Sequence, residues 1–155
     1  MNRIDETLLL LHEKLSSLTG GWMIIGTASL YLSEYPVEPN DIDILTDIDT
    51  AKTIAGLLDS YKVETQVKPN DKFRSAFSEY DINGFKVEVM GNLEVNARDG
   101  WVLLSDQIAN AQTVLLLNKT FTVPAKEDQR RIYTLFNRAK DEPVLQLLYD
   151  TKELR

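Results

Sequence analysis

The sequence predicts a mixed α/β or α+β domain, in which a twisted, mixed β-sheet is flanked by helices. Over the first half of the chain, short apolar runs typical of strands alternate with patterns typical of amphipathic helices. Asn83-Gly84 then lies between two alternating apolar and polar runs, which is a strong signal for a β-hairpin. The end of the chain is again helical in pattern, and this order of elements is typical of the fold class.

The first half begins with a helix from Asp5 to Leu18, because its leucines recur at helical spacing. Thr19-Gly20-Gly21 ends that helix, since glycine is common just past a helix C-terminus. The apolar run Trp22 to Gly26 predicts a buried strand. A second helix opens at Thr27 and ends in the Pro36 to Pro39 region.

A second strand, Asp41 to Leu45, leads into a helix for which Asp47 or Asp49 is the expected N-cap. Alternation of apolar and polar residues predicts a third strand from Lys62 to Lys68. The two strands of the hairpin follow.

Beyond the hairpin, residues 92–110 show no clear pattern, and we expect irregular structure there. Two short strands are expected around a turn near Asn118-Lys119. A helix is predicted from Pro124 to about Arg138, and a last one from Glu142 to Leu154, with a proline suitably in its first turn.

The composition is that of one globular domain. The chain has 155 residues, of which 43% are hydrophobic, and no linker or repeat divides it. We therefore expect a single domain over residues 1–155, with a core at about 20–92 and a C-terminal helical portion at about 124–155. The sequence contains no cysteine, which excludes disulfides and cysteine-based zinc sites.

Charge and hydropathy restrict the classes of partner that the protein could bind. A net charge of −7 argues against an extended nucleic-acid surface, since such surfaces are usually basic. The N-terminal stretch has the pattern of neither a signal peptide nor a membrane span, so we expect a cytoplasmic protein without a membrane partner.

Two aspartates interrupt an otherwise apolar strand. Asp41 and Asp43 would project from the same face about 7 Å apart, where their charges repel unless a cation lies between them. Oxygen ligands select hard ions such as Mg²⁺ or Mn²⁺. If the second hairpin strand lies beside this one, Glu88 completes a three-acid cluster, which can hold two ions about 3.5–4 Å apart. The alternative is a solvated acidic face.

The turn between the first strand and its helix could bind phosphate. Gly26 allows close approach of the backbone, while Thr27 and Ser29 offer hydroxyl groups, and a helix N-terminus favours anions. Capping of the helix start is the alternative role of the two hydroxyls. With the three acids, this turn predicts a site for phosphoryl or nucleotidyl transfer.

These residues resemble the signature of the DNA polymerase beta-like nucleotidyltransferase superfamily. Ile25-Gly26-Thr27 fills its first element, Asp41-Ile42-Asp43-Ile44 its second and Val87-Glu88-Val89 its third. The chain is also similar to small stand-alone bacterial nucleotidyltransferases, and its C-terminal helices are similar to those of aminoglycoside nucleotidyltransferase-like proteins. Thr27 stands where Gly or Ser is usual, and no second domain for an acceptor is evident.

The resemblance implies the nucleotidyltransferase fold and transfer of a nucleoside monophosphate from a nucleoside triphosphate to an unidentified acceptor hydroxyl. Asp41, Asp43 and Glu88 would be the catalytic residues and would hold two Mg²⁺ (or Mn²⁺) ions. One alternative is a catalytically silent module that binds a small helical protein, as in toxin–antitoxin pairs, or a second copy of the chain. Another is a phosphohydrolase or nuclease that uses water as the nucleophile.

The resemblance further implies a nucleotide-binding role for Gly26, Thr27 and Ser29. By analogy with the basic residues near the C-terminus of the family, Arg138 or Lys140 would reach the triphosphate. The alternative for the basic residues of this region is a solvated face on which they pair with neighbouring acids, namely Glu127, Asp128 and Asp141.

Overall fold

The structure is a computed structural model that describes residues 1–65 and 70–150. Its elements follow in this order: α1 (Arg3–Lys14), β1 (Trp22–Ile25), α2 (Gly26–Leu32), β2 (Asp41–Thr46), α3 (Ile48–Leu57), β3 (Lys62–Val63), β4 (Phe73–Ile82), β5 (Phe85–Ala97), β6 (Gly100–Leu103), β7 (Ala111–Leu116), β8 (Lys119–Pro124), α4 (Lys126–Phe136) and α5 (Glu142–Asp150). None of the described helices is long and apolar enough to span a membrane.

The main sheet has six strands and is mixed, as predicted. Its order is β1-β2-β5-β4-β3, with β6 paired to the end of β5. Strands β2 and β5 run parallel, and the other pairs in this sheet are antiparallel. Strands β7 and β8 form a separate hairpin.

The two faces of the sheet differ because β2 alternates. Ile42 and Ile44 are fully buried in a core with residues of α1 and α3. Asp41 and Asp43 therefore lie on the opposite face, on which residues of α4 and α5 pack around Leu45. The C-terminal helices cover that second face only in part, which leaves a cleft over the acids.

Most of the predicted elements are present. Asp47 is the N-cap of α3, since its Oδ1 accepts a hydrogen bond of 2.6 Å from the amide of Thr50. The hairpin turns at Asn83-Gly84, where both residues have positive φ. The last helix begins at Glu142, and the part predicted for residues 151–154 lies outside the described residues.

The prediction of irregular structure at residues 92–110 is wrong for the part that forms strands, whereas residues 104–110 are a short 3₁₀ turn followed by irregular chain, as expected. Strand β5 continues to Ala97 and pairs with β6. The alternation was hidden because Asn92 has a φ of 51° and the β4–β5 register shifts between Arg74 and Ala76, as at a β-bulge.

Several boundaries differ from the predictions. Helix α1 ends at Lys14 rather than at Leu18, and α2 ends at Leu32, before the prolines. Of the strand predicted at Lys62 to Lys68, β3 covers only the first two residues, and residues 66–69 lie outside the described part. The β7–β8 turn is formed by Leu117-Asn118, one residue earlier than expected. Pro124 ends β8, and α4 begins at Lys126.

Candidate active site

Parallel pairing of β2 with β5 brings the three predicted acids together. Asp43 lies directly beside Glu88 in the register of the two strands. One carboxylate oxygen from each of Asp41, Asp43 and Glu88 lies within 4.8 Å of the other two. The sequence suggested this neighbourhood, and the parallel register of two strands more than forty residues apart produces it.

The cluster fits a hard divalent cation. Asp43 Oδ1 is buried and has no hydrogen-bond partner among the described residues. Burial, together with the charges of Asp41 and Glu88, raises the pKa of Asp43 to about 8. Lys86 opposes this shift only weakly, because its Nζ lies 3.9 Å from Asp41 Oδ2 at the exposed edge. The donor atoms are all carboxylate oxygens, and the positive charge nearby is too small to offset their negative charges. Such a set of donors is chemically suited to Mg²⁺ or Mn²⁺.

Gly26 lies against the Asp43 carboxylate. Its φ is +70°, and a Cβ built there would lie 2.7 Å from Asp43 Oδ2. Both the backbone conformation and the space exclude a side chain. The glycine of the turn and the second aspartate therefore form one packed unit.

The two hydroxyls of the turn point in different directions. Thr27 lines the cleft. Ser29 is fully buried, donates a 2.6 Å hydrogen bond to the carbonyl of Gly26 and accepts a 2.8 Å bond from Gln129 Nε2. The structure thus does not bring the Ser29 hydroxyl to the cleft, where direct contact with phosphate would require it.

The cleft has a volume of about 680 Å³. The acids and the turn form one wall. Apolar side chains from β4 and the C-terminal helices form much of the remainder, namely Phe73, Phe77, Ile132, Tyr133, Phe136 and Val144. A polar end beside an apolar wall is typical of a small-molecule site.

Arg138 and Lys140 both line this cleft. The guanidinium of Arg138 donates two hydrogen bonds to the carboxylate of Asp141, at 2.6 and 3.1 Å, and lies over the rings of Phe73 and Phe136. Lys140 is exposed. Arg138 is therefore fixed in position, whereas Lys140 is free to reorient.

The neighbouring basic residues pair with acids, as the alternative interpretation expected. Arg130 contacts Glu127 at 2.8 Å, and Arg131 contacts Asp128 at 2.5 Å. Neither arginine lines the large cleft.

The sequence did not single out three residues at or behind the cleft: Glu79, Gln129 and Tyr133. Glu79 lies opposite Glu88 on β4. Burial and the charges of Asp141 and Asp43 raise the pKa of Tyr133. The two α4 residues could have been found from the helical spacing of positions 129, 132, 133 and 136, which places them on one buried face of the helix. A glutamine on such a face is unusual.

The sequence matches no protein-family model and no curated protein. Among solved structures, the chain is similar to a "putative nucleotidyltransferase" (TM1012) from Thermotoga maritima. That similarity has 26% identity and a TM-score of 0.74, over 97% of this chain and 96% of that one.

Two further structures share the fold at low identity. The lincosamide antibiotic adenylyltransferase LnuA, bound to lincomycin, is 14% identical with a TM-score of 0.60, over 96% of both chains. ANT(2″)-Ia, in complex with adenylyl-2″-tobramycin, is 8% identical with a TM-score of 0.60, over 93% of this chain and 86% of that one.

The chain therefore has the nucleotidyltransferase fold. Its similarity to TM1012 extends over nearly the whole of both chains. In its fold the chain is nucleotidyltransferase-like.

Proposed function

We propose that the protein transfers a nucleoside monophosphate from a nucleoside triphosphate to an acceptor hydroxyl and releases pyrophosphate. The observation that carries the proposal is the convergence of Asp41, Asp43 and Glu88 in the cleft, with one buried carboxylate oxygen of Asp43 unpartnered in the described residues. The fold shared with an adenylyltransferase and with a protein bound to an adenylylated product supports the same chemistry.

The three acids would hold Mg²⁺ or Mn²⁺. When bound, the metal would supply positive charge to offset the phosphate charges during transfer. The protein's own part in the reaction is to place the nucleotide and the acceptor and to accept a proton.

The phosphates would lie between the turn and the C-terminal helices. Gly26 presents backbone without a side chain, and Thr27 lines the same space. Arg138, oriented by Asp141, would supply a fixed positive charge, and Lys140 a mobile one. Ser29 would contribute by holding the turn, since its hydroxyl is bonded to the carbonyl of Gly26.

In the reaction, the acceptor oxygen forms a bond to the α-phosphorus as the bond from that phosphorus to the bridging oxygen breaks. The electron pair of the broken bond leaves on pyrophosphate. The proton of the acceptor hydroxyl passes to the carboxylate of Glu88, which faces the cleft beside Asp43.

The acceptor is proposed to be a small molecule. The cleft volume of about 680 Å³ is in the range of small-molecule sites. LnuA and ANT(2″)-Ia are described with lincomycin and with adenylyl-2″-tobramycin, which are small hydroxylated compounds.

The experiment is a thermal-shift titration with ATP, GTP, CTP and UTP, each with and without Mg²⁺. Wild type would be compared with Asp43→Asn and with Asp99→Asn, the same substitution at an exposed turn outside the cleft. A ligand at about 100 times its Kd should stabilise the fold by about 2.7 kcal/mol. We expect a Mg²⁺-dependent shift in wild type and Asp99→Asn that is lost in Asp43→Asn.

Each shift is measured against the metal-free midpoint of the same variant, because the substitution itself changes stability. A shift that persists in Asp43→Asn would contradict the site. The absence of any shift in wild type would favour the silent module or a site completed by a partner. Product analysis with the bound nucleotide then separates transfer from hydrolysis, since hydrolysis yields no adduct.

A further inference from the structure

A chain of hydrogen bonds connects helix α4 to the first turn of α2. Gln129 Nε2 donates to Ser29 Oγ at 2.8 Å, and Ser29 Oγ donates to the carbonyl oxygen of Gly26 at 2.6 Å. The glutamine and the serine are 100 residues apart in the sequence, so the contact exists only in the folded chain.

Both side chains of this chain of bonds are buried. Ser29 is 0% exposed and Gln129 is 2% exposed. Gln129 shares the buried face of α4 with Ile132, Tyr133 and Phe136, and its Nε2 also donates a 3.4 Å bond to the carbonyl oxygen of Pro124. Its Oε1 has no hydrogen-bond partner among the described residues, and an unsatisfied buried acceptor costs free energy. The donor of the amide is therefore the part that makes contacts.

The chain of bonds ends at the candidate metal ligand. The Gly26 carbonyl is held by Ser29, and the α-carbon of Gly26 packs so closely on Asp43 that a Cβ would lie 2.7 Å from Oδ2. Asp43 Oδ1 has no partner among the described residues, so this packing restrains the carboxylate together with its contact to Glu88.

We propose that Gln129 and Ser29 are positioning residues that hold Gly26 against Asp43 and so fix the Asp43 carboxylate for a divalent cation. Neither residue touches the cation. The inference rests on the proposed function only in that the three acids bind such a cation.

The test is the affinity for Mn²⁺, measured on the full chain from the electron paramagnetic resonance signal of the free ion. Ser29→Ala removes the hydroxyl, and Gln129→Met removes the amide at similar length. Thr7→Val is the matched control, because Thr7 is also fully buried and donates a 2.8 Å bond to a backbone carbonyl, but within α1 on the other side of the sheet. Thermal midpoints of all variants are measured alongside.

Loss of a residue that orients a metal ligand weakens metal affinity by about 10–100-fold, and we expect at least about tenfold weaker binding for each of the two variants. The double variant should bind no more weakly than the weaker of the two singles, since both act through the same bond to Gly26. Thr7→Val should lower the thermal midpoint without changing the Kd for Mn²⁺.

A second readout needs no metal. In the metal-free protein, Ser29→Ala and Gln129→Met should shift the amide resonance of Gly26 and the side-chain carboxyl carbon resonance of Asp43, whereas Thr7→Val should leave both in place. If wild type failed to bind Mn²⁺, the proposed function would fall, and these resonances alone would decide the inference. Wild-type Mn²⁺ affinity in both variants, or an equal loss in Thr7→Val, would overturn it.

Discussion

The carboxylate of Asp43 shows how one side chain acquires its properties from its neighbours. On a strand of alternating pattern, an aspartate would ordinarily be solvated. Here Gly26 packs on one oxygen, the other has no partner in the described chain, and Glu88 lies beside it. The sequence identified the residue and its type, but only these contacts make it a candidate ligand.

At Gly26 we predict that alanine damages the site as well as the fold. Gly26→Ala forces a φ of +70° on an L-residue and places a Cβ against Asp43. Gly84→Ala is the control, since it has a φ of +84° but meets only Arg3 Nη1, at 3.8 Å. Left-handed backbone costs an L-residue about 1–2 kcal/mol, so urea unfolding should show a loss of that order in Gly84→Ala and a larger one in Gly26→Ala, whose Cβ also meets Asp43.

Only Gly26→Ala should also lose affinity for Mn²⁺, because only there does the new methyl displace a carboxylate. Wild-type affinity in Gly26→Ala would contradict this account, as would an equal loss in Gly84→Ala.

At the scale of elements, α4 joins three parts of the structure. Its apolar stripe packs on the sheet, Gln129 reaches the first turn of α2, and Asp128 holds the segment before β7. The buried carboxylate of Asp128 accepts hydrogen bonds from the amides of Ala109 and Asn110, at 3.0 and 2.9 Å, and pairs with Arg131.

We predict that Asp128→Ala is far more destabilising than Glu127→Ala in the same turn of α4. Removing Asp128, which is 0% exposed, leaves two amides without their acceptor, and each such loss costs about 1–3 kcal/mol. The Glu127 carboxylate is 71% exposed in its pair with Arg130, so its removal should cost about 1 kcal/mol or less.

Urea unfolding of the two variants provides the comparison. Similar losses in both would show that the bonds of Asp128 to the segment before β7 contribute little.

The boundaries of helices and strands show which features of the fold can be predicted from local sequence patterns. Asp47 was predictable as an N-cap because its hydrogen bond to Thr50 spans three residues. The extension of β5 to Ala97 was not, since Asn92 interrupts the alternation and the strand is defined by its partners β4 and β6. A contact between residues close in sequence can be predicted from the local pattern, whereas strand pairing depends on residues far along the chain.

For the molecule as a whole, the unequal cover of the sheet creates the cleft. One face is closed by α1 and α3, while α4 and α5 leave the acids accessible on the other. The expectation that residues 1–155 form one domain stays a prediction.

The global stability of the metal-free protein should depend on pH through Asp43. Its pKa is raised from 3.8 to about 8 in the fold, so the folded state binds the proton more tightly than the unfolded state. This contribution to the free energy of unfolding is therefore present below about pH 4 and is lost as pH rises towards about 8.

Asp43→Asn lacks this dependence, so the variant should gain stability relative to wild type as pH increases across that window. Urea unfolding of both proteins in a chelator, at several pH values, measures the difference. A constant difference would contradict the prediction. Saturating Mg²⁺ should reduce the difference at high pH, because a bound cation favours the charged carboxylate.

By itself the sequence determined the order of most elements, the caps and turns, and the identity of the three acids, because these depend on residue type and short spacing. Only the tertiary structure decided that Glu88 lies beside Asp43, that Gln129 contacts Ser29, and that Arg138 with its partner Asp141 lines the cleft. The physical reason is that the first and second arrangements depend on strand register and packing between distant residues. The position of Arg138 likewise depends on how α4 and α5 lie over a sheet formed by earlier parts of the chain.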